Sequence, residues 1–129
     1  MHQEIDIELD ALAKGVVDAA FKVHKALGPG LLESAYQACM EIELERRSFL
    51  FAAQDLLPIS YEGVRIEGAY RIDLLVGGKL VVELKAVEKL LPVHQAQILT
   101  YLRLAGLRLG LLINFNAPLI KDGIKRIAL

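Results

Sequence analysis

The sequence predicts an α/β fold in which a mixed sheet of four or five strands is flanked by helices. Apolar residues recur at helical spacing over the first third of the chain, and the middle of the chain alternates like β-strands between glycine-containing turns. A further helical segment then separates two apolar strands. Because a helix that joins two strands implies a right-handed crossover between parallel strands, the sheet should contain both parallel and antiparallel pairs.

Two helices open the predicted order. The first covers residues 9–27 approximately and ends at Gly28-Pro29-Gly30, which supplies a glycine at the C-terminal cap. The second covers residues 31–47 and should bury one side of its surface. The residues expected on that side are Leu32, Ala35, Cys39 and Ile42.

Three strands follow, and a hairpin joins the last two. Leu57, Ile59 and Tyr61 alternate with other residues as in a strand, and Glu62-Gly63 is typical of a turn. Strands over residues 69–76 and 79–86 then flank two consecutive glycines, which is a hairpin signal.

The last third of the chain adds one helix and one or two strands. Pro92 suits the first turn of a helix that continues to residue 105 and ends at Gly106. Its inward-facing residues are expected to be Val93, Ala96, Leu99 and Leu102. Residues 109–115 form the continuous apolar run of a fully buried strand, and residues 124–129 can add an edge strand.

Length and composition predict one domain over residues 1–129, in a soluble and cytoplasmic protein. The net charge of −1 excludes a protein that coats nucleic acid by charge alone. A single cysteine excludes an internal disulfide, the polar start of the chain does not resemble a signal peptide, and no apolar run reaches the length of a membrane span. The 54% share of hydrophobic residues is high enough for an apolar surface patch and a homo-oligomer.

The predicted hairpin carries Asp73 on its first strand, and Glu83 and Lys85 among apolar residues on its second. Burying a charge is costly unless the charge is paired or bound to a metal. Two carboxylates and a backbone carbonyl, such as that of Leu84, suit Mg²⁺, which prefers hard oxygen ligands. Lys85 would then position a water or stabilise a transition state. A structural Lys-Glu pair at a sheet edge explains the same residue types equally well.

The length of the hairpin loop decides whether the two acidic residues share a face. Because side chains alternate along a strand, Glu83 lies on the same face as Val81. A two-residue glycine loop pairs Asp73 with Val82 and places it on the opposite face. A three-residue loop over residues 76–78 pairs Asp73 with Val81 instead, diagonal to Glu83 on the same face. The metal hypothesis therefore requires the longer loop.

The hairpin resembles the signature of the PD-(D/E)XK nuclease-like superfamily, which has an Asp on one strand and Glu/Asp-x-Lys on the next. Residues 30–36, Gly-Leu-Leu-Glu-Ser-Ala-Tyr, resemble the defining pattern of the bacterial and archaeal GxxExxY proteins. The likeness covers nearly the whole chain and implies a restriction-endonuclease-like core. One departure is Ile72, which stands where the superfamily has a proline before the Asp.

The resemblance implies roles for individual side chains. It makes Asp73 and Glu83 ligands of Mg²⁺ or Mn²⁺, and it makes Lys85 the catalytic lysine. Gln97 and Tyr101 match positions after the Glu-x-Lys strand and would orient the substrate.

Glu33 matches a Glu on an early helix that approaches the metals in related nucleases. By residue type alone, the presence of Glu33 is explained better as a carboxylate that stabilises the positive end of a helix than as a residue of a metal site. Tyr36 lies one turn later and would bond Glu33 or a substrate phosphate, or simply pack. His94 shares a helical stripe with Gln97 but also fits a solvated helix face. His24 is expected to be hydrogen-bonded in the core rather than to bind a metal.

The leading hypothesis is a Mg²⁺- or Mn²⁺-dependent phosphodiesterase that acts on nucleic acid, either DNA or RNA. The second is a nucleic-acid- or protein-binding regulatory module that keeps the fold but does not cleave, which the near-neutral charge and high apolar content favour. A third is a structural subunit that forms a dimer through an apolar surface.

Overall fold

The structure is a computed structural model that describes residues 7–129. The first six residues, which belong to the polar start of the chain considered above, lie outside the described part. None of the helices in residues 7–129 combines the length and apolar character that a membrane crossing needs. The elements are α1 (Ile7–Leu27), α2 (Glu33–Arg46), β1 (Phe51–Tyr61), β2 (Val64–Val76), β3 (Leu80–Lys85), α3 (Pro92–Ala105), β4 (Leu109–Asn114), a short 3₁₀ helix (Ile120–Gly123) and β5 (Ile124–Ala128).

Five strands form one mixed sheet in the order β1-β2-β3-β4-β5. All neighbours are antiparallel except β3 and β4, which are parallel and are connected through α3. The α/β class and the mixed sheet predicted from the sequence are therefore confirmed, as is the edge position of the last strand. A five-stranded mixed sheet with three helices is consistent with a restriction-endonuclease-like core.

The helices pack on opposite faces of the sheet. Side chains of α1 and α2 share a core with Val82 of β3 and Leu111 of β4. Ile98 of α3 packs in a second core with Val81 and Leu112, the neighbours of those two residues along the strands. Because successive strand residues point to opposite faces, the sheet lies between α1 and α2 on one side and α3 on the other.

The buried side of α2 differs in part from the predicted one: Ala35 and Cys39 are half-buried, and Cys39 packs against the core, but the other two predicted residues are exposed. Leu32 precedes the helix and is 78% exposed, and Ile42 is 48% exposed. The residues that α2 buries are Tyr36, Met40, Glu43 and Leu44. The apolar spacing did not predict this side because it includes the carboxylate of Glu43. That carboxylate is buried beside the basic side chains of Lys22, Arg46 and Arg47.

The bounds of α3 are confirmed, but its predicted inward face is wrong in part. Val93 is 63% exposed and Ala96 is also exposed, whereas Ile98 and Leu102 are fully buried. The buried residues therefore lie in the second half of the helix, and Leu99 packs partly against them. The prediction assumed one stripe along the whole helix, whereas only the later turns are buried.

The hairpin between β2 and β3 has a three-residue loop, but its bounds differ from the predicted ones. The loop covers Gly77, Gly78 and Lys79, because Val76 pairs with Leu80. Leu75, rather than Asp73, is the residue that pairs with Val81. The register is shifted because Val76 remains in the strand and its backbone carbonyl accepts a hydrogen bond from the N–H of Lys79 at 3.1 Å.

Candidate active site

Strands β2 and β3 separate at the level of Asp73 and Glu83. The last paired residues are Leu74 and Val82, and side chains replace the backbone ladder beyond them. The backbone N–H of Asp73 donates to Oε2 of Glu83 at 2.8 Å, and the backbone N–H of Leu84 donates to Oδ2 of Asp73 at 2.9 Å. Each carboxylate is therefore held by the backbone of the opposite strand, which fixes the two acidic groups side by side.

Both carboxylates are buried, with 6% of Asp73 and 4% of Glu83 exposed. Burial, and then the charge of Asp73, raise the pKa of Glu83 to about 7. The hydrogen bond from the Asp73 N–H and the positive charge of Lys85 oppose this shift. Two adjacent buried negative charges repel each other, so a cation bound between them would be strongly favoured.

Lys85 follows Glu83 on the same face of β3 and connects to a polar stripe on α3. Its Nζ donates to Oε1 of Gln97 at 3.5 Å, and Nε2 of Gln97 donates to the hydroxyl of Tyr101 at 2.9 Å. The ring of Tyr101 packs against that of Tyr70, with 5.0 Å between the ring centroids. Within residues 7–129, no carboxylate forms a salt bridge with Lys85. Among the described residues, no acidic side chain therefore neutralises its ammonium group directly.

Glu33 is the first residue of α2, and its side chain approaches the carboxylate pair. Partial burial, and then the charge of Asp73, raise the pKa of Glu33, while Lys85 and Arg71 lower it. No set of three or more His, Cys, Asp or Glu side chains is close enough to hold a metal ion within the described part of the chain. Glu33 therefore lies near the pair without completing a three-residue ligand set.

One cleft of about 280 Å³ contains these groups. The catalytic residues predicted from the sequence all line it, as do two of the three predicted substrate-binding residues. The lining residues are Glu33, Leu56, Gly68, Tyr70, Arg71, Asp73, Glu83, Lys85, Gln97 and Tyr101. The cleft has acidic groups at its base and the cation of Lys85 beside them, so it can receive a hydrated metal ion together with an anionic group.

Tyr36, the third predicted substrate-binding residue, lies outside this cleft. Its side chain is fully buried, and its ring stacks on Phe115 with 4.6 Å between the centroids. Its hydroxyl donates to the carbonyl of Gly28 at 2.6 Å and accepts from the N–H of Leu31 at 3.1 Å. A substrate contact does not fit this placement, whereas packing, the other interpretation of this residue, does.

The two histidines of the helices also have structural partners. His24 is buried, and its Nε2 lies 2.8 Å from the carbonyl of Ala117, as a hydrogen-bonded core histidine should. His94 accepts a hydrogen bond from the backbone N–H of Leu91 through Nδ1 at 2.9 Å. This bond satisfies a donor at the start of α3, so His94 caps the helix rather than facing the carboxylates.

Three residues near the site were not predicted. Nε2 of Gln37 donates to the carbonyl of Asp73 at 3.1 Å, and Nε2 of Gln54 lies 3.4 Å from its Oδ1. Gln54 has a φ of 51°, in the left-handed region, at the point where the pairing of β1 and β2 is interrupted. Arg71 lines the cleft. The charged Arg71, two positions before Asp73 on the same predicted strand, was the one signal that the sequence offered.

The donor set suits a hard divalent cation. Oε1 of Glu83 accepts no hydrogen bond from any described residue, so it is available to a metal ion. The N–H and C=O of one strand residue point to the same side, so the Leu84 carbonyl lies on the side of Asp73, beyond the last paired residues. Carboxylate and carbonyl oxygens with room for water match what Mg²⁺ and Mn²⁺ require.

Of the comparisons with known proteins, one finds a match. No curated protein and no solved structure matches the chain significantly. A family model described as the PD-(D/E)XK nuclease superfamily matches residues 10–127, nearly the whole chain. That range contains every residue of the cleft, including the Asp73, Glu83 and Lys85 set. The chain therefore belongs to the PD-(D/E)XK nuclease superfamily.

Proposed function

We propose that this protein is a Mg²⁺- or Mn²⁺-dependent phosphodiesterase that hydrolyses nucleic acid, either DNA or RNA. The observation that supports this most is the exchange of hydrogen bonds that holds two buried carboxylates together on neighbouring strands, with Lys85 in the same cleft. A purely structural Lys-Glu pair would form a direct salt bridge, and within the described residues Lys85 forms none.

In this proposal the ligands of the cation are Asp73, Glu83 and the backbone carbonyl of Leu84. The two carboxylates supply negative charge, and their backbone hydrogen bonds prevent either from turning away. When bound, such an ion lowers the pKa of a coordinated water and neutralises charge on a phosphate. Glu33 would assist from the N-terminus of α2, where it lies close enough to Asp73 for the two charges to interact.

The other residues of the cleft act on the substrate, either directly or by orienting Lys85. Lys85 places its ammonium group where negative charge develops on the phosphate during attack. Gln97 orients Lys85 through its side-chain oxygen, and Tyr101 in turn fixes Gln97. A substrate phosphate can displace the 3.5 Å contact between Lys85 and Gln97 because that contact is long and weak.

We extend the proposal to membership of the GxxExxY group, in which Gly30, Glu33 and Tyr36 form the motif. The positive φ of 101° at Gly30 fits a requirement for glycine. Tyr36 is bonded to both ends of the loop over residues 28–31, and Glu33, at the start of α2 just after that loop, lines the cleft. The motif would thus fix the position of Glu33 relative to Asp73. A cytoplasmic location and a single domain over residues 1–129 belong to the same proposal.

Cleavage assays test this proposal directly. The purified protein is offered single- and double-stranded DNA and RNA with Mg²⁺ or Mn²⁺, alongside Lys85→Ala and the control Lys89→Ala, an exposed lysine outside the cleft. We expect cleavage that needs the metal, falls by about 100-fold or more in Lys85→Ala and persists in Lys89→Ala. An inactive wild type, or equal activity in Lys85→Ala, would contradict the proposal.

A second candidate is a module that binds nucleic acid or protein without cleaving it. The observation that favours it is the lack of a third acidic or histidine ligand beside Asp73 and Glu83 among the described residues. In the same assays this candidate predicts retention of a labelled nucleic acid or protein by the wild type, with no product from either the wild type or Lys85→Ala.

A further inference from the structure

A second cavity adjoins the cleft at Asp73 and has no role in the proposed function. Its volume is about 410 Å³, and its lining residues are Glu33, Ser34, Gln37, Gln54, Arg71 and Asp73. Three of them, Glu33, Arg71 and Asp73, also line the cleft. The two cavities are therefore contiguous, and Arg71 lies at the boundary between them.

Arg71 is a cation without an acidic partner in the described part of the chain. Its side chain is exposed and forms no salt bridge there, in contrast to Arg65, which is paired with Glu67 on the same strand. Arg71 lines both cavities together with Glu33, and its charge lowers the pKa of that carboxyl group. A planar guanidinium that is free to form paired hydrogen bonds is well suited to a phosphate group.

The remaining lining of the second cavity is polar and uncharged. Ser34 contributes a hydroxyl at the first turn of α2, and Gln37 and Gln54 contribute amides. Both amides bond Asp73, which holds them in place. Because Nε2 of Gln37 also donates to Glu41, Gln37 offers a ligand its side-chain oxygen, whereas Ser34 and Gln54 can both donate and accept.

We infer that the second cavity is a subsite for the nucleotide next to the scissile phosphodiester, with Arg71 holding the phosphate of that nucleotide. The inference rests on the proposed function and extends it. A strand that fills both cavities passes over Asp73 and continues on each side of the metal ligands. The site would therefore cut within a strand and would not require a free end.

A binding measurement tests the subsite without cleavage. A fluorescein-labelled single-stranded oligonucleotide, as DNA and as RNA, is titrated with the full chain in Ca²⁺ and followed by fluorescence anisotropy. We expect Arg71→Ala to raise the Kd by about tenfold and to reduce the slope of log Kd against log salt by about 0.7, the value for one phosphate contact to a single strand. Arg71→Lys should recover part of the affinity.

Two matched variants make this measurement specific. Arg65→Ala removes an arginine of the same strand that lies outside both cavities, and it should bind like the wild type. Ser34→Trp fills the second cavity from an exposed helix position and should weaken binding as Arg71→Ala does. Unchanged affinity in Arg71→Ala, or equal losses in Arg71→Ala and Arg65→Ala, would overturn the inference.

Cleavage of two further substrates separates the subsite from the reaction centre. Circular single-stranded DNA has no ends, and we expect it to be cut. A circle that stays intact while the linear form is degraded would overturn the inference.

The second substrate is bis(p-nitrophenyl) phosphate, a diester too small to occupy both cavities. On this substrate, the fold-loss in kcat/KM caused by Arg71→Ala should be at least about tenfold smaller than on an oligonucleotide. Equal losses would count against the subsite. A wild type inactive on every substrate contradicts the proposed function, and the anisotropy result then decides the subsite alone.

Discussion

At the scale of single residues, the central feature is the pair of backbone-to-carboxylate hydrogen bonds between Asp73 and Glu83. Residue types alone singled out these two acids and Lys85, because charged residues between apolar strand positions need an explanation. Their alignment could not be predicted, since it depends on where the hairpin loop begins. Gln37 and Gln54 could not be predicted either, because amides are common on protein surfaces and only tertiary packing brings these two to Asp73.

The raised pKa of Glu83 predicts a stability change with pH in the metal-free protein. The folded value of about 7 lies above the ordinary value of 4.5, so the folded state binds more protons than the unfolded state between these two pH values. The contribution of Glu83 to stability is therefore fully present below pH 4.5 and is lost as the pH rises through 7. The loss in free energy of unfolding should be on the order of 3 kcal/mol.

Urea denaturation in EDTA across this pH range measures the effect, and Glu83→Gln is the matched control. The amide oxygen of a glutamine can still accept from the N–H of Asp73 but cannot ionise. We expect the variant to lose most of the decline in stability that the wild type shows. Parallel pH profiles for the two proteins would mean that Glu83 is not the group that titrates.

At the scale of elements, the sequence predicted the order of helices and strands along the chain better than it predicted which sides of the helices are buried. The apolar run of β4 predicted a fully buried strand, and all six residues of β4 are buried. For α2, the stripe predicted from apolar residues alone missed Tyr36, Met40 and Leu44, because the buried side also contains Glu43. Glu43 can be buried there because Nζ of Lys22 lies 3.2 Å from its Oε1. Lys22 belongs to α1, so the spacing of residues within α2 does not reveal this contact.

The packing of α3 on the sheet depends on Gly110 of β4. A Cβ added at Gly110 would lie 2.6 Å from Cγ2 of Ile98, a fully buried residue of α3. We expect Gly110→Ala to lower the free energy of unfolding by about 1–3 kcal/mol, because the helix must move away from the sheet. The helix carries Gln97 and Tyr101, so this contact also positions one wall of the cleft.

A double-mutant cycle isolates this contact. In the background of Ile98→Ala, which removes Cγ2, Gly110→Ala should cost clearly less than in the wild type, and guanidinium denaturation gives all four free energies. Equal costs in both backgrounds would show that Ile98 does not limit the space at Gly110.

At the scale of the whole molecule, patterns spread along the chain were enough to predict the family and the α/β fold. The geometry of the site depends instead on how the strands pair in the sheet. β2 pairs with β3 only from Leu74 onward, so the two strands are apart at Asp73, and Glu33 of α2 and Gln97 of α3 both line the cleft there. The sequence could single out the candidate residues Asp73, Glu83 and Lys85. Only the assembled sheet shows that Arg71 connects the cleft to a second cavity.

The central claim is that Asp73 and Glu83 hold one divalent cation jointly. Calorimetric titration with Mn²⁺, at a pH above the pKa of Glu83, tests it on the wild type, on Asp73→Asn and on the control Asp18→Asn, an exposed position of α1. Asparagine can still accept from the N–H of Leu84, so the strands should stay in place. We predict that the wild type and Asp18→Asn bind the ion alike and that Asp73→Asn binds it at least about tenfold more weakly. Equal affinity in all three proteins, or no binding to the wild type, would contradict the account.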